Sequence, residues 1–557
     1  MNDIQVRFAN GTTKKGETIS CPYGAVADTL LDHFGMEKDT IAAIRVNNEI
    51  RPLKTRLVVN SLLEPVLLES PEGAMLYRRS LAFILAIAAR THFPDQGLYI
   101  GHSLGKSYYY TFSSGKQVTE QEVAVLQKEM ESIVAADLPI TFKHLAYEEA
   151  LEVFKKNRQT DTVLLLDQRS TSRIKVNECK DFVDMYIEPL VSRTSLLSTF
   201  ALLPYQEGFL LRFPAVGKNK NLGAFEDEPK IFQVYNEYKQ WGRIAGVRVV
   251  GELNSLVANR TINDYIRIAE AHQRHKIANI AEQIYEQRDR IKMVLLAGPS
   301  SSGKTTSAKR LSIELMAMGI KPLAISLDNY YVGTDKTPKD EKGEPDYECL
   351  EALDIPFLNG QLQALYRGEE VILPVYDFKI GGRRKDSGET IRLDRNMVLI
   401  VEGIHALNDA LTPSIARDTK FKVYVSALTQ LNLDDHNRIP TSDNRLLRRM
   451  VRDNQFRAKD AAGTIKMWPS VQAGERKHIF PFQNTADAAL NSALDYELSV
   501  LKYYADPLLR GVKPGMYEYA EAIRLLSFLE NFAPIPPQYV PGDSILREFI
   551  GESEFKY

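Results

Sequence analysis

The feature that most constrains this chain is Gly298-Pro299-Ser300-Ser301-Ser302-Gly303-Lys304-Thr305, a full match to G-x-x-x-x-G-K-[ST]. It follows an apolar run, MVLLA, and precedes a helix-like run from Thr305 to Met318. A chance Gly/Ser-rich turn needs neither flank; a strand–turn–helix that grips phosphate needs both. The glycines let the backbone turn tightly, so that successive N–H groups point at phosphate oxygens. The start of the following helix, through Thr306, adds positive potential. Lys304 suits the β- and γ-phosphates of a nucleotide, and Thr305 suits Mg²⁺. The flanking segments alternate short strands (Lys292–Leu296, Pro322–Ser326, Val398–Val401, Lys422–Val425) with helices, the pattern of a parallel sheet with crossover helices.

Two carboxylates fall at strand ends, where ligands bind in such sheets. Asp328, in SLDNYY, can accept a proton from an attacking hydroxyl, or it can simply cap a turn. Glu402, after Met397 to Val401, can organise a magnesium shell. The next histidine, His405, lacks a partner at useful spacing and reads as structural. Arg445, Arg448, Arg449, Arg452 and Arg457 form a basic run, the first four on one helical face. Phosphate clamping, a solvated face and RNA contact all remain open for it.

With 557 residues the chain exceeds one ordinary domain, and about 150 residues per domain suggests three or four. A net charge of −2 excludes a nucleic-acid-coating protein overall. Cys21, Cys179 and Cys349 are far apart, so neither a disulfide framework nor a cysteine zinc site is expected. The N-terminus lacks a signal-peptide core, and the apolar stretch Ser80 to Ala89 is too short to span a membrane. A cytoplasmic protein with no membrane contact is expected.

Residues 1–68 read as a small α+β module. Ile4, Val6 and Phe8 share one strand face, Asn10-Gly11 marks a turn, a helix covers Ala25 to Phe34, and strands cover Ile41 to Val46 and Arg56 to Val59. Residues 69–215 read as a second α+β domain. Its helices are Tyr77 to Thr91, Val118 to Ala135 and His144 to Arg158, and its strands include Thr162–Leu166 and Gly208–Phe213. Residues 216–290 form a polar connector and helices, with Asn263 to Arg290 the longest. Residues 291–510 form the phosphate-binding domain, and 511–557 a partly helical, Pro-rich tail.

The order of motifs in 291–500 resembles the uridine kinase/phosphoribulokinase family of P-loop kinases. The phosphate loop is followed by SLDNYY, DYECLEALD (Asp346 to Asp354), PVYDF (Pro374 to Phe378), VEGIH, DNRLLRRMVRD (Asp443 to Asp453) and TADAALNSAL. The resemblance implies ATP and Mg²⁺ as cofactors, with Asp328 as catalytic base beside Lys304. It assigns Glu402 with Thr305 to the metal, and Glu348 and Tyr376 to a nucleoside's ribose and base. Arg449, Arg452 and Arg457 become lid arginines, the first two catalytic, Arg449 also touching substrate and Arg457 the nucleotide. The implied reaction carries the γ-phosphoryl of ATP to the 5′-hydroxyl of uridine or cytidine. One departure bears on the acceptor: uridine kinases carry a base-reading His five residues after that Tyr, and here Gly381 stands there. The lid-like MWPSVQAGERKHIFP is as close to phosphoribulokinases. A non-nucleoside sugar or sugar phosphate therefore stays open as acceptor, as does a nucleotide-dependent RNA-binding switch without kinase activity.

Residues 1–68, through FANG and VNNEIRPLKTRL, resemble a TGS domain, a β-grasp fold. Residues 69–215, through FPDQGLYIGHSLGKSYYYTF and DMYIEPLV, are similar to the editing domain of threonyl-tRNA synthetases. That family's HxxxH and Cys-x-x-x-His zinc ligands align with Arg79, Phe83, Tyr186 and Leu190, none of them plausible zinc ligands. The resemblance thus implies neither zinc nor ester hydrolysis. It leaves a packing scaffold, a homo-oligomer contact, or binding of RNA or another regulatory ligand as the region's use.

Overall fold

The computed structural model describes residues 3–9, 18–186, 188–217, 221–339, 343, 345–377, 380–384, 388–394 and 396–556. The expected Asn10-Gly11 turn and Phe378 lie outside them. Among the described residues no helix is long and apolar enough to cross a membrane.

The first sheet has five strands in the order Thr18–Cys21, Ile4–Phe8, Ser61–Leu67, Ile41–Val46, Glu49–Arg51. Ile4–Phe8 and Ser61–Leu67 run parallel and the other neighbours antiparallel, a mixed β-grasp sheet. Val6, Phe8, Leu31, Phe34, Ile44 and Leu63 fill its core. The strand expected at Arg56 to Val59 starts at Ser61 instead. Val58 and Val59 are both exposed, so that apolar pair does not alternate between two faces.

The second region pairs a four-stranded antiparallel sheet (Ala201–Tyr205, Gly208–Arg212, Ser107–Phe112, Leu98–Ser103) with a three-stranded one (Phe182–Asp184, Arg173–Cys179, Thr141–Ala146). Helices Pro71–His92 and Glu120–Ala135 pack with the former in one core. Two expectations fail here. Thr162–Leu166 is part of a helix, Thr160–Asp167, whose buried Asp161, Thr162, Leu165 and Leu166 recur at helical spacing. His144 ends up in the strand Thr141–Ala146, and the helix starts at Tyr147, where Glu149 folds back to the Ala146 N–H.

The central sheet is parallel throughout. Its strands are β1 (Met293–Ala297), β2 (Lys321–Ser326), β3 (Met397–Glu402), β4 (Lys420–Ser426) and β5 (Ala488–Asn491), in the order β2-β3-β1-β4-β5. Helix α1 (Lys304–Ala317) follows β1; α2 (Thr441–Arg457) and α3 (Ala461–His478) lie between β4 and β5. Register sets Glu402 between Leu296 and Ser326, bringing the carboxyl ends of β1, β2 and β3 together.

The chain closes on itself. Phe154 and Leu166 of the second region, Leu253 and Ile266 of the connecting helices, Leu446 of α2 and Phe528 of the tail share one core. The tail's Ile545, Leu546, Phe549 and Ile550 are buried there too.

Candidate active site

The phosphate loop leaves β1 at Gly298, where a Cβ would lie 1.9 Å from the Val425 carbonyl oxygen. Gly303 has φ +80°, and its Cβ would lie 2.6 Å from Ile545 Cγ2. Only glycine fits either position. The first intrahelical bond of α1 runs from the Ser307 N–H to Gly303, so the N–H groups of Lys304, Thr305 and Thr306 project from the helix start. Ser301 and Ser302 are buried, and their hydroxyls meet no hydrogen-bond partner among the described residues. Such a loop is built for a ligand rich in acceptor oxygens. Lys304 Nζ folds back to the Pro299 carbonyl at 3.2 Å.

Glu402 Oε1 accepts from Ser326 Oγ at 3.0 Å and from Thr305 Oγ1 at 3.4 Å. Burial, then the charge of Asp328, raises the Glu402 carboxyl to about 7 against the pull of Lys304. Asp328 itself is exposed, in the short turn Leu327–Tyr330 that ends β2. These hard oxygens suit magnesium.

Glu348 is raised to about 7, by burial and then by Glu475, while Arg449 and Lys304 oppose the rise. Its side chain packs under α3, where a Cβ on Gly474 would come within 2.5 Å of Glu348 Cβ. Tyr376 is buried, its ring 5.6 Å from that of Tyr331 and its N–H bonded to Asn329 Oδ1 at 3.1 Å. Gly381 has φ +71°; a Cβ there would meet Thr334 Oγ1 at 2.5 Å, and its carbonyl accepts the Thr334 N–H at 3.0 Å. The backbone thus requires glycine where uridine kinases carry histidine.

The basic run divides. Arg445 and Arg448 lie on no solvated or RNA-facing surface: both are buried. Arg448 pairs with Glu497 at 2.6 Å and donates to the Ser301 carbonyl at 3.3 Å. Arg445 pairs with Glu475 and donates to the Ser300 carbonyl at 2.9 Å. Arg449 Nη1 donates to Ser300 Oγ at 2.7 Å. Arg449, Arg452 and Arg457 share the buried Asp453, at 3.3, 3.7 and 3.3 Å. Arg457 is the half-exposed member, and burial lowers Arg452 to about 10.

Two glutamates that the sequence did not flag complete the site. Glu475, on α3, accepts the Ser300 N–H at 2.9 Å. Glu548, in the tail, accepts the Thr306 N–H at 3.1 Å and its hydroxyl at 2.7 Å. Glu475 lies within the lid-like stretch, where no role was assigned to it, and Glu548 lies in no motif; each reaches the loop by tertiary contact. His405, read as structural, is buried with its ring 6.1 Å from that of His478.

Residues 293–499 match the family described as phosphoribulokinase/uridine kinase. This C-terminal domain belongs to the phosphoribulokinase/uridine kinase family. It is a P-loop kinase domain. The N-terminal region matches threonine–tRNA ligases. That of Desulforamulus reducens is 32% identical over 170 residues, 30% of this chain and 27% of the ligase. That of Francisella tularensis subsp. novicida is 26% identical over 199 residues, 36% of this chain and 31% of the ligase. The chain thus spans about a quarter to a third of the length of these curated relatives. Among solved structures, a possible uridine kinase from Bacillus stearothermophilus aligns at 21% identity and TM-score 0.27, over 39% of this chain and 98% of its own. The D-glycerate 3-kinase of Cryptococcus neoformans aligns at 17% identity and TM-score 0.23, over 46% of this chain and 87% of its own.

The four positions that the sequence resemblance aligned with zinc ligands lie in or beside the core. Phe83 and Tyr186 stack edge to face at 5.8 Å, and Leu190 is buried. Arg79 pairs with Glu188, which Arg524 approaches at 3.5 Å, and Arg524 in turn pairs with Asp443 of α2 at 2.6 Å. In this chain the region is tied to the kinase domain by charge.

Proposed function

We propose that the C-terminal domain transfers the γ-phosphoryl group of ATP to a hydroxyl of a small acceptor, with the 5′-hydroxyl of uridine or cytidine the first candidate. The observation that carries this reading is the convergence, at one sheet end, of the glycine loop, Lys304 and three carboxylates, of which Asp328 is open to solvent. Asp328 orients the acceptor hydroxyl and takes its proton as the oxygen bonds to the γ-phosphorus. The bond from that phosphorus to the β–γ bridging oxygen breaks, and ADP leaves. Lys304 and Arg449 hold the charge that builds on the transferred group. Thr305 and Glu402 would hold magnesium, which supplies charge neutralisation when bound. Glu348 and Tyr376 line the acceptor side, and α3 above Glu348 excludes water.

Gly381 favours a second acceptor class, a non-nucleoside sugar or sugar phosphate, because its positive φ and the Thr334 hydroxyl beside it disfavour a base-reading imidazole there. Likeness to tRNA ligases supports RNA contact through residues 1–215 as a further proposal. The test is product formation from ATP and Mg²⁺ with a panel of nucleosides and sugar phosphates. Asp328→Asn should lower kcat by roughly 10²–10⁴-fold. Turnover undiminished in that variant would remove Asp328 as the base. ATP binding without turnover of any acceptor, together with ATP-sensitive RNA binding, would replace the kinase reading with a nucleotide-dependent switch.

A further inference from the structure

The N–H groups of Lys304, Thr305 and Thr306 precede the first intrahelical bond of α1, from the Ser307 N–H to Gly303, and so face outward from the helix start. In a glycine-loop site such donors cradle the nucleotide phosphates nearest the helix. The third of them is already taken. Glu548 accepts both the Thr306 N–H, at 3.1 Å, and the Thr306 hydroxyl, at 2.7 Å. A carboxylate with two such bonds at a helix start has the charge and the acceptor geometry of a bound phosphate. Elsewhere the loop keeps acceptor-seeking groups in hand, in the buried hydroxyls of Ser301 and Ser302.

The backbone that delivers Glu548 is fixed. Ile545 packs against Gly303, and Asp543 pairs with Arg310 and Arg274, each at 3.1 Å. Arg547 donates to the carbonyls of Val540 and Pro537 at 2.8 and 3.1 Å. A nucleotide therefore need not lift the tail. It has only to turn the Glu548 side chain, which is partly exposed, away from Thr306.

We propose that Glu548 is an internal competitor for the nucleotide phosphate next to the start of α1, so that the C-terminal segment sets the affinity of the donor site. This rests on the reading of the loop as an ATP site. A simple helix cap would stabilise α1 and leave nucleotide affinity alone. A competitor lowers apparent affinity by the fraction of molecules in which it has moved aside.

The test is a fluorescence titration with N-methylanthraniloyl-ADP and Mg²⁺, on the full chain and on Glu548→Gln and Glu548→Ala. Removing the charge should tighten binding roughly tenfold, the worth of a charge-assisted contact, and the alanine variant should bind at least as tightly as the glutamine one. Unchanged or weaker binding in both variants, each still melting cooperatively, overturns the proposal. A second measurement uses the unaltered chain, carbon-13 labelled at glutamate: ADP should move the Glu548 carboxyl resonance, identified by its loss in Glu548→Gln, as that carboxylate leaves Thr306, and an unmoved resonance counts against the proposal. Absence of nucleotide binding by all three proteins would instead remove the ATP-site reading, and this proposal with it.

Discussion

Gly381 is where the proposed acceptor pocket departs from the uridine kinase pattern, and Gly381→Ala tests whether the backbone is the reason. The residue sits in the left-handed region at φ +71°, which costs an alanine about 1–2 kcal/mol. The new methyl would meet Thr334 Oγ1 at 2.5 Å, and moving a threonine side chain that already donates to the Gly381 carbonyl at 3.3 Å adds about 1 kcal/mol. The sum, about 2–3 kcal/mol, falls on a hairpin pairing Tyr376 with Arg383 and Asp377 with Gly382. Opening should be local, so amide hydrogen exchange is the assay. The reporters are the N–H groups of Thr334, bonded to the Gly381 carbonyl, and of Gly381 and Arg384, bonded to Asp377 and Val375. At 1.4 kcal/mol per tenfold, these amides should exchange roughly 30- to 150-fold faster than in the parent. Thr334→Ala in the same chain should return the steric part and leave the backbone part. Unchanged exchange in Gly381→Ala would refute the claim that the backbone demands glycine, and the missing histidine would then need a functional explanation alone.

With Glu348 near 7, its proposed role at the acceptor predicts pH-dependent binding: its carboxylate accepts hydroxyl hydrogen bonds best once ionised, so acceptor KM should fall from pH 6 to 8. A Glu348→Gln variant should lose that dependence, and a parent KM that rises over this range would contradict the assignment. Arg445→Met should destabilise the kinase domain by about 3–5 kcal/mol, because it strands the buried Glu475 charge. Arg445→Met with Glu475→Met should recover most of that in urea unfolding followed by tryptophan fluorescence; a double variant no better than the single would sink the argument. Where the second region meets the kinase domain, burial alone would lower His436, but Asp184 at 2.8 Å and then Asp435 and Asp434 hold it near 9. Its stabilisation is complete below its unfolded value of 6.5 and is lost as pH rises through about 9. Asp434 and Asp435, raised mainly by burial to about 7 and 8, also favour the protonated form in the fold, so their contributions decline in the same direction. The melting temperature should therefore fall between about pH 6.5 and 9 and level off above that, and an Asp184→Asn/His436→Asn chain should show a flatter profile across the same window.

What the sequence could convey about this site follows from which contacts are local. Gly298 to Thr305, and carboxylates at the ends of β2 and β3, are properties of short segments whose strand and turn signals stand side by side, so register alone brings Glu402 to Ser326 and Thr305. Thr162–Leu166 misled because a five-residue apolar run fits a strand or a buried helix turn equally, and its partners in the shared core, such as Leu253 and Ile266, lie about 90–100 residues away. The use of the arginine run stayed open in the sequence for a related reason. Spacing put Arg445, Arg448 and Arg452 on one helix face, but it carried no information about Glu475 and Glu497, which turn two of those charges inward. Three arginines instead gather on Asp453, and two sit against the phosphate loop through Ser300. The glutamates that occupy loop donors lie 175 and 242 residues from the positions they bond. A motif specifies which donors a loop offers to phosphate. Which of those donors the folded chain has already claimed depends on elements that reach the loop only after α2, α3 and the tail have packed, and that is where affinity is adjusted without altering the motif.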